Sequence, residues 1–321
     1  MAAPNISEAL TMTIENRTRE LADNMSENTA LLSRLKQRGN NMPFSGGVTI
    51  RHELEYAENP TYKRYSGYEV LDTSAAEVFT SAEFDIKQAA ISVKISGLEQ
   101  LQNAGREQMI DLLTSRVKNA EKTMLNNLSA DIYSDGTADG GKQVGGLQAI
   151  VSDTGGGTVG GIDSSTWTFW KNYVFDFSNN SLTPGSSTIQ QAMNTAFLNL
   201  TRNRDKPDLI VADNTYFEYY WRSLQSIQRI TTESRAAAGF RELEFMGAPV
   251  IADGGLGGDA PSAHMYLLNT DSIHYRPHRD RDMVLIGGDR MSINQDAIIR
   301  LVGWAGNMTV GNRSLQGCIV A

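Results

Sequence analysis

The residues able to do chemistry in this sequence are few and scattered. Gly155-x-Gly157-x-x-Gly160 has the glycine spacing of a dinucleotide fingerprint, and the short apolar run LQAIV precedes it. That fingerprint works by opening a helix whose first amides face a pyrophosphate. Here Gly161 follows at once and helical periodicity does not resume until about Ser187, so the stretch reads as a mobile glycine loop. His274 and His278 are four apart, the spacing that sets two metal ligands on one helix face, but Pro277 lies between them after the strand-like Ile273 and Tyr275. No cysteine and no HExxH glutamate joins them, so no metal is expected. Arg276, Arg279 and Arg281 are offset by Asp280 and Asp282, which reads as a solvated loop or a salt-bridged subunit contact rather than a DNA-reading stripe. There is no GxSxG motif, and no catalytic motif surrounds any of the four histidines. Glu53 and Glu55 share a strand face with Arg51, an ordinary exposed pattern. Cys318, the only cysteine, rules out a disulfide framework and reads as a small apolar residue of a final strand. Neither catalysis nor a cofactor is expected.

Composition bounds the rest. The chain has 321 residues, 40% of them hydrophobic and 21% charged, with a net charge of −8. That length suggests two or three lobes, and the acidic balance argues against a dedicated nucleic-acid binder. No window of 18 apolar residues occurs, so no membrane span is expected. MAAPNISEALTMTIENRTRE lacks the basic and apolar regions of a secretory signal, so a soluble intracellular protein is expected.

The elements that would position any site are clearer. Leu10, Ile14, Leu21, Met25, Leu32 and Leu35 form one apolar stripe, predicting a helix over 7–38 that ends at Gly39 and Pro43. GVTIRHELEY alternates with period two, placing Val48, Ile50, His52, Leu54 and Tyr56 on one face. A polar, aromatic loop follows, then a strand-like run from Phe84 to Ile95 whose apolar phase slips, with a bulge or change of partner expected near Gln88–Ala90. Together these predict a long hairpin that wants a neighbour to lie on. Leu113, Val117, Ala120, Met124, Leu128 and Ile132 predict a strut-like helix over 106–133 that Gly136 stops. Beyond SDTGGGTVGGIDSS come a helix near 187–200, the buried-type strand DLIVAD (208–213) and a helix from 215 to about 227. That last helix carries Tyr216, Phe217, Tyr219, Tyr220 and Trp221. This portion reads as an α/β lobe. FRELEFMGAPVIAD adds strand, MYLLNTDSIHYRP reads as a strand with its turn, and INQDAIIRLVGWAGNMTV contains one long strand.

This order of elements resembles a tailed-bacteriophage major capsid protein of the Johnson fold, which is shared with encapsulins and herpesvirus capsid floors. The resemblance rests on GVTIRHELEY to AAISVKIS, on the 106–133 helix with GGLQAIV after it, and on PDLIVADNTYFEYYW. FMGAPVIAD and the tail INQDAIIRLVGWAGNMTVGNRSLQG complete it. It implies an α+β fold with an N-terminal arm at 1–45 and an extended β-hairpin loop at 46–95. A peripheral domain with the spine helix would take 96–159 and 283–310, and an axial domain 160–282 and 311–321. It further implies a non-enzymatic protein that self-assembles as pentamers and hexamers into an icosahedral head shell around double-stranded DNA. An encapsulin-type compartment is the alternative. The implied inter-subunit residues are Tyr62, Lys63, Arg64 and Tyr65 at the loop tip, with Leu10, Ile14 and Leu21 in the arm. Members that cross-link their subunits point to Lys63 with Asn307 or Asn312. The implied partners are other copies of the chain, a separate scaffolding protein, a portal, in some members a decoration protein, and packaged DNA held without sequence preference. The implied location is the virion, after assembly in the bacterial host cytoplasm. An arm and hairpin that cannot bury their apolar faces alone can bury them on neighbours, and an acidic chain suits DNA held by confinement.

Overall fold

The alternation over 48–56 becomes strand β1 (Thr49–Glu55), with Ile50 and Leu54 buried and Arg51, Glu53 and Glu55 exposed. In the computed structural model, which describes residues 30–102, 112–224, 243–254, 258–287, 290–291 and 295–321, β1 pairs antiparallel with β2 (Phe79–Asp85). The chain then changes partner. Strand β3 (Lys87–Ser96) leaves the hairpin and runs antiparallel along β14 (Ala297–Val310), from Lys87 opposite Gly306 to Ser96 opposite Ala297. The expected slip is therefore a change of partner at Ile86, not at Gln88–Ala90. The second hairpin strand also starts at Phe79, ahead of the expected Phe84. Its buried position there is Ala82, too small to register as an apolar beat.

Of the helix expected over 7–38, the described residues form α1 (Ala30–Gln37), which buries Leu31, Leu32 and Leu35 and ends before Gly39 at φ 76°. Leu10, Ile14, Leu21 and Met25 lie outside the described residues. After the short α2 (Gly97–Gln102), the spine helix α3 spans Leu112–Tyr133, about 33 Å at 1.5 Å per residue. Ala120, Met124, Leu128 and Ile132 recur every fourth residue and are all buried, and the helix packs against β3. The side chain of Leu113 lies outside the described residues.

β14 organises one sheet. It carries β3, β11 (Ile273–Pro277), β12 (Val284–Leu285) and β13 (Arg290–Met291), and it is buried from Val302 to Val310. A second sheet has the order β6 (Tyr173–Asp176), β15 (Gly317–Val320), β10 (His264–Leu268), β7 (Leu209–Ala212), β9 (Ala248–Ala252), β8 (Leu243–Phe245). The β6–β15 and β7–β9 pairs are parallel, and the others antiparallel. β7 is the LIVA of DLIVAD, buried on both faces as a continuous apolar run requires. Its cover comes from α5 (Ile189–Leu200), through Met193, Ala196 and Phe197, and from α6 (Asn214–Ser223), through Tyr216 and Tyr220. Asp213 starts α6 by accepting the Tyr216 amide at 2.9 Å. Cys318 lies fully buried in β15, where burial pushes its thiol up to about 12.

MYLLNTDSIHYRP is not one strand with its turn. It is β10 of the second sheet, a 3-10 turn at 270–272, and β11 of the first sheet. That crossing ties the two sheets together. The Tyr133 hydroxyl at the end of the spine helix adds a second tie by donating to Asp253, just after β9. Burial raises the pKa of the Asp253 carboxyl. Among the described residues no helix is long and apolar enough to cross a membrane.

Candidate inter-subunit surface

Residues 56–78 join β1 to β2 and project from the body as an exposed loop rich in apolar side chains. Tyr62, Tyr65, Val70 and Leu71 are exposed, and Tyr68 is as open as in an extended peptide. What orders the loop is local. The Thr61 amide donates to Asn59 Oδ1 at 3.0 Å, and the Ser74 amide to Asp72 Oδ1 at 2.9 Å. Lys63 Nζ sits 3.1 Å from Glu69 Oε2 and donates to the Val70 carbonyl. Both partners of that ion pair are half-exposed, which makes it worth little on its own. Tyr62, Lys63, Arg64 and Tyr65 lie together on an exposed irregular stretch between turns at 60–61 and 67–68.

The base of the hairpin is held quite differently. Tyr56 donates its hydroxyl to the Glu77 carbonyl at 2.9 Å, and its ring lies 5.5 Å from Trp167 and 5.7 Å from Phe169. These rings, with Phe79 and Gly160, line a cleft of about 540 Å³. Gly160 has φ 58°, and a side chain there would come within 2.8 Å of Ala82 and 3.1 Å of the Phe84 ring. Only glycine both fits that close approach and adopts that backbone freely. The Gly160 carbonyl accepts the Glu83 amide at 2.9 Å, fixing the outer edge of β2.

Gly160 belongs to the glycine run that matches the dinucleotide pattern, and no helix opens there. β4 (Thr158–Val159) and β5 (Ile162–Asp163) form a two-stranded turn. The turn presents carbonyls inward, where a phosphate site would present amides. Arg313 fills the space. Its Nε donates to the Ile150 carbonyl at 2.6 Å. One terminal nitrogen reaches the Trp170 carbonyl at 3.1 Å and the Gly157 carbonyl at 3.4 Å. The other reaches the Gly156 carbonyl at 2.6 Å and Ser152 Oγ at 3.1 Å. The guanidinium is fully buried, and burial lowers its pKa to about 10. Trp170 Nε1 adds a bond to the Val159 carbonyl at 2.9 Å. The turn read as a mobile loop is thus cross-braced by a buried cation. An arginine 150 residues downstream leaves no local pattern that would have marked it.

The remaining candidates fall in different places. Asn307 is buried in β14 with both ends of its amide engaged. Oδ1 accepts from the Gly145 and Met308 amides, and Nδ2 donates to the Asp85 carbonyl at 2.8 Å. A covalent link at Asn307 would first have to break these bonds. Asn312 Oδ1 accepts from the Ser314 amide and hydroxyl. His274 and His278 do not converge. His274 stacks on His52, and His278 meets Phe44 edge-on at 5.0 Å. No group of three or more histidine, cysteine, aspartate or glutamate side chains able to hold a metal occurs among the described residues. The HYRPHRDRD stretch is less of a loop than its charges suggest, since its backbone bonds to Asn40, Met42 and Phe44 on one side and to β14 on the other.

No protein-family model matches this sequence, and no curated protein matches it. Solved structures do. The capsid chain of cyanophage A-1(L) superposes with a TM-score of 0.68 at 14% identity, covering 96% of each chain. The SrpI encapsulin of Synechococcus elongatus gives 0.61 at 9% identity over 97% of this chain and 93% of its own. The capsid chain of the myophage XM1 gives 0.57 at 14% identity over 99% and 100%. With 96–99% of this chain covered in these superpositions, it has the fold of tailed-phage major capsid proteins, a fold that an encapsulin shares.

Proposed function

We propose that this protein is a major capsid protein, building the icosahedral head of a tailed phage around double-stranded DNA through pentamers and hexamers of itself. The observation that carries the reading is the loop at 56–78. It exposes tyrosine, valine and leucine side chains on a long projection that adds nothing to either core, which is costly for a monomer and useful for a chain that lies on its neighbours. In this reading residues 1–45 form the arm and 46–95 the extended loop. Residues 96–159 and 283–310 form the peripheral domain, and 160–282 and 311–321 the axial domain. Tyr62, Lys63, Arg64 and Tyr65 touch the adjacent subunit, and the arm adds Leu10, Ile14 and Leu21. The net charge of −8 fits a wall that confines DNA without gripping it. A scaffolding protein and a portal complete the assembly, catalysis plays no part, and the finished protein resides in the virion.

The likeness to an encapsulin supports a second reading, a shell that holds protein cargo. Negative-stain electron microscopy of particles from the native source, with nucleic acid assayed in the same fractions, separates the two. DNA-filled icosahedral particles are expected. DNA-free shells filled with another protein would select the encapsulin reading, and a small oligomer in every fraction would overturn both.

A further inference from the structure

His52 and His274 come together from opposite ends of the chain. His52 is the middle residue of β1, opposite Ala82 of β2, and His274 lies on β11, opposite Thr309 of β14. Their rings stack at 5.3 Å with planes 30° apart. Gly311, just past β14, leaves the space the His52 ring occupies, because a Cβ there would collide with Nε2. His274 is 8% exposed, and its Nδ1 has no hydrogen-bond partner. The contact joins the hairpin base to the sheet built on β14.

We infer that the stacked His52–His274 pair is an acid-sensitive latch, closed while both imidazoles are neutral, that holds the extended hairpin on the body of its own subunit. The surroundings favour the neutral state. The charged groups bearing on the pair are Arg276 on β11, which opposes protonation of both rings, and Asp271 in the preceding turn, which favours it at His274. Asp271 is itself engaged by Arg38 at 3.2 Å. Across the strands the pair faces Ala82 and Thr309, neither of them charged, while Arg51 and Glu53 lie on the exposed face of β1. Burial lowers the pKa of both histidines, that of His274 to about 4. Two imidazolium rings at stacking distance repel, and the well-buried one would have only Asp271, already shared with Arg38, to offset its charge.

The sign follows. Above pH 6.5 the rings are neutral whether the hairpin is seated or released. Between 6.5 and about 4 the released ring of His274 takes a proton that the seated ring refuses, so seating weakens as pH falls. Below about 4 the seated ring protonates too and the dependence levels off. The slope approaches about tenfold per pH unit for each histidine that titrates this way. The latch stands on the subunit alone; only its consequence for a shell, that acid frees the hairpin that reaches a neighbour, rests on the capsid reading.

Hydrogen exchange followed by mass spectrometry tests this on the unassembled subunit and on assembled particles between pH 7.5 and 4.5, corrected for the intrinsic pH dependence of exchange. In the wild type, protection of 49–55 and 79–85 should fall with pH relative to the spine helix. His274→Phe, which keeps a stacked ring without a titration, should reduce that slope to the part His52 contributes. His278→Phe should leave it unchanged. His274→Gln serves as the second variant if the phenylalanine disturbs folding. A wild-type profile with no slope, or the same slope in wild type and both His274 variants, would overturn the latch. Exchange is read on the subunit and shells are scored separately. A flat profile with intact shells therefore fails the latch alone, and a working latch in a protein that never forms shells fails the capsid reading alone.

Discussion

Two connecting segments of this molecule invert what their compositions suggest. The turn at 152–161 is half glycine and carries almost no apolar surface, yet it accepts three of the five hydrogen bonds that the fully buried Arg313 guanidinium donates. The loop at 57–77 carries three tyrosines, a valine and a leucine, yet it stands in solvent on local bonds and one weak ion pair. Rigidity follows from which groups find partners within the chain. The glycine turn exposes carbonyls and receives an arginine; the aromatic loop exposes rings and receives nothing from its own subunit's core. In the capsid reading, the difference separates what the subunit stabilises by itself from what it would leave to another copy.

Changes in the two regions should therefore separate stability from assembly. The largest effect on the isolated subunit is expected from Arg313→Ala, which orphans several buried carbonyls at once. Urea unfolding should show a loss of about 3–5 kcal/mol. A loss below about 1 kcal/mol would mean that the turn does not depend on its brace. Gly160→Ala should cost about 1–3 kcal/mol by the same measurement, from a left-handed backbone and a clash with Phe84. It should also loosen the hairpin base, seen as faster exchange at Glu83. Deleting Pro60–Thr73 should change subunit stability by no more than about 1 kcal/mol, since shortening a flexible loop alters closure entropy only slowly. The same deletion should abolish closed particles in electron micrographs, and normal shells from it would remove the loop from the interface. Tyr65→Ser should move subunit stability by about 0.5 kcal/mol at most, while raising the protein concentration needed for assembly in light scattering.

The parts of the fold legible in the sequence are those written in periodicity. The four-residue beat of Ala120, Met124, Leu128 and Ile132, the alternation of Ile50 and Leu54, and the apolar LIVA of β7 each report a buried face directly. The phase slip after Ile86 is also visible, but locating it requires knowing that β14 takes over as partner, and β14 lies 200 residues away. The exposed tip at Tyr62–Tyr65 is legible because rings without a periodic face have no place in a core. The Arg313 brace and the His52–His274 stack are not, since each joins single residues distant in the chain and neither leaves a spacing to read. Asn307 shows a further gap: the family resemblance makes it a cross-link candidate, but only its place in β14 reveals that its amide makes three structural bonds.

The central claim is that the loop's stabilising partner is a neighbouring subunit, and hydrogen exchange over residues 60–73, compared between unassembled protein and closed particles, tests it most directly. Fast exchange in the subunit and strong protection in the particle are expected. Equal exchange in both states would mean that the loop stays in solvent after assembly, and the proposed inter-subunit surface would have to be sought elsewhere on the molecule.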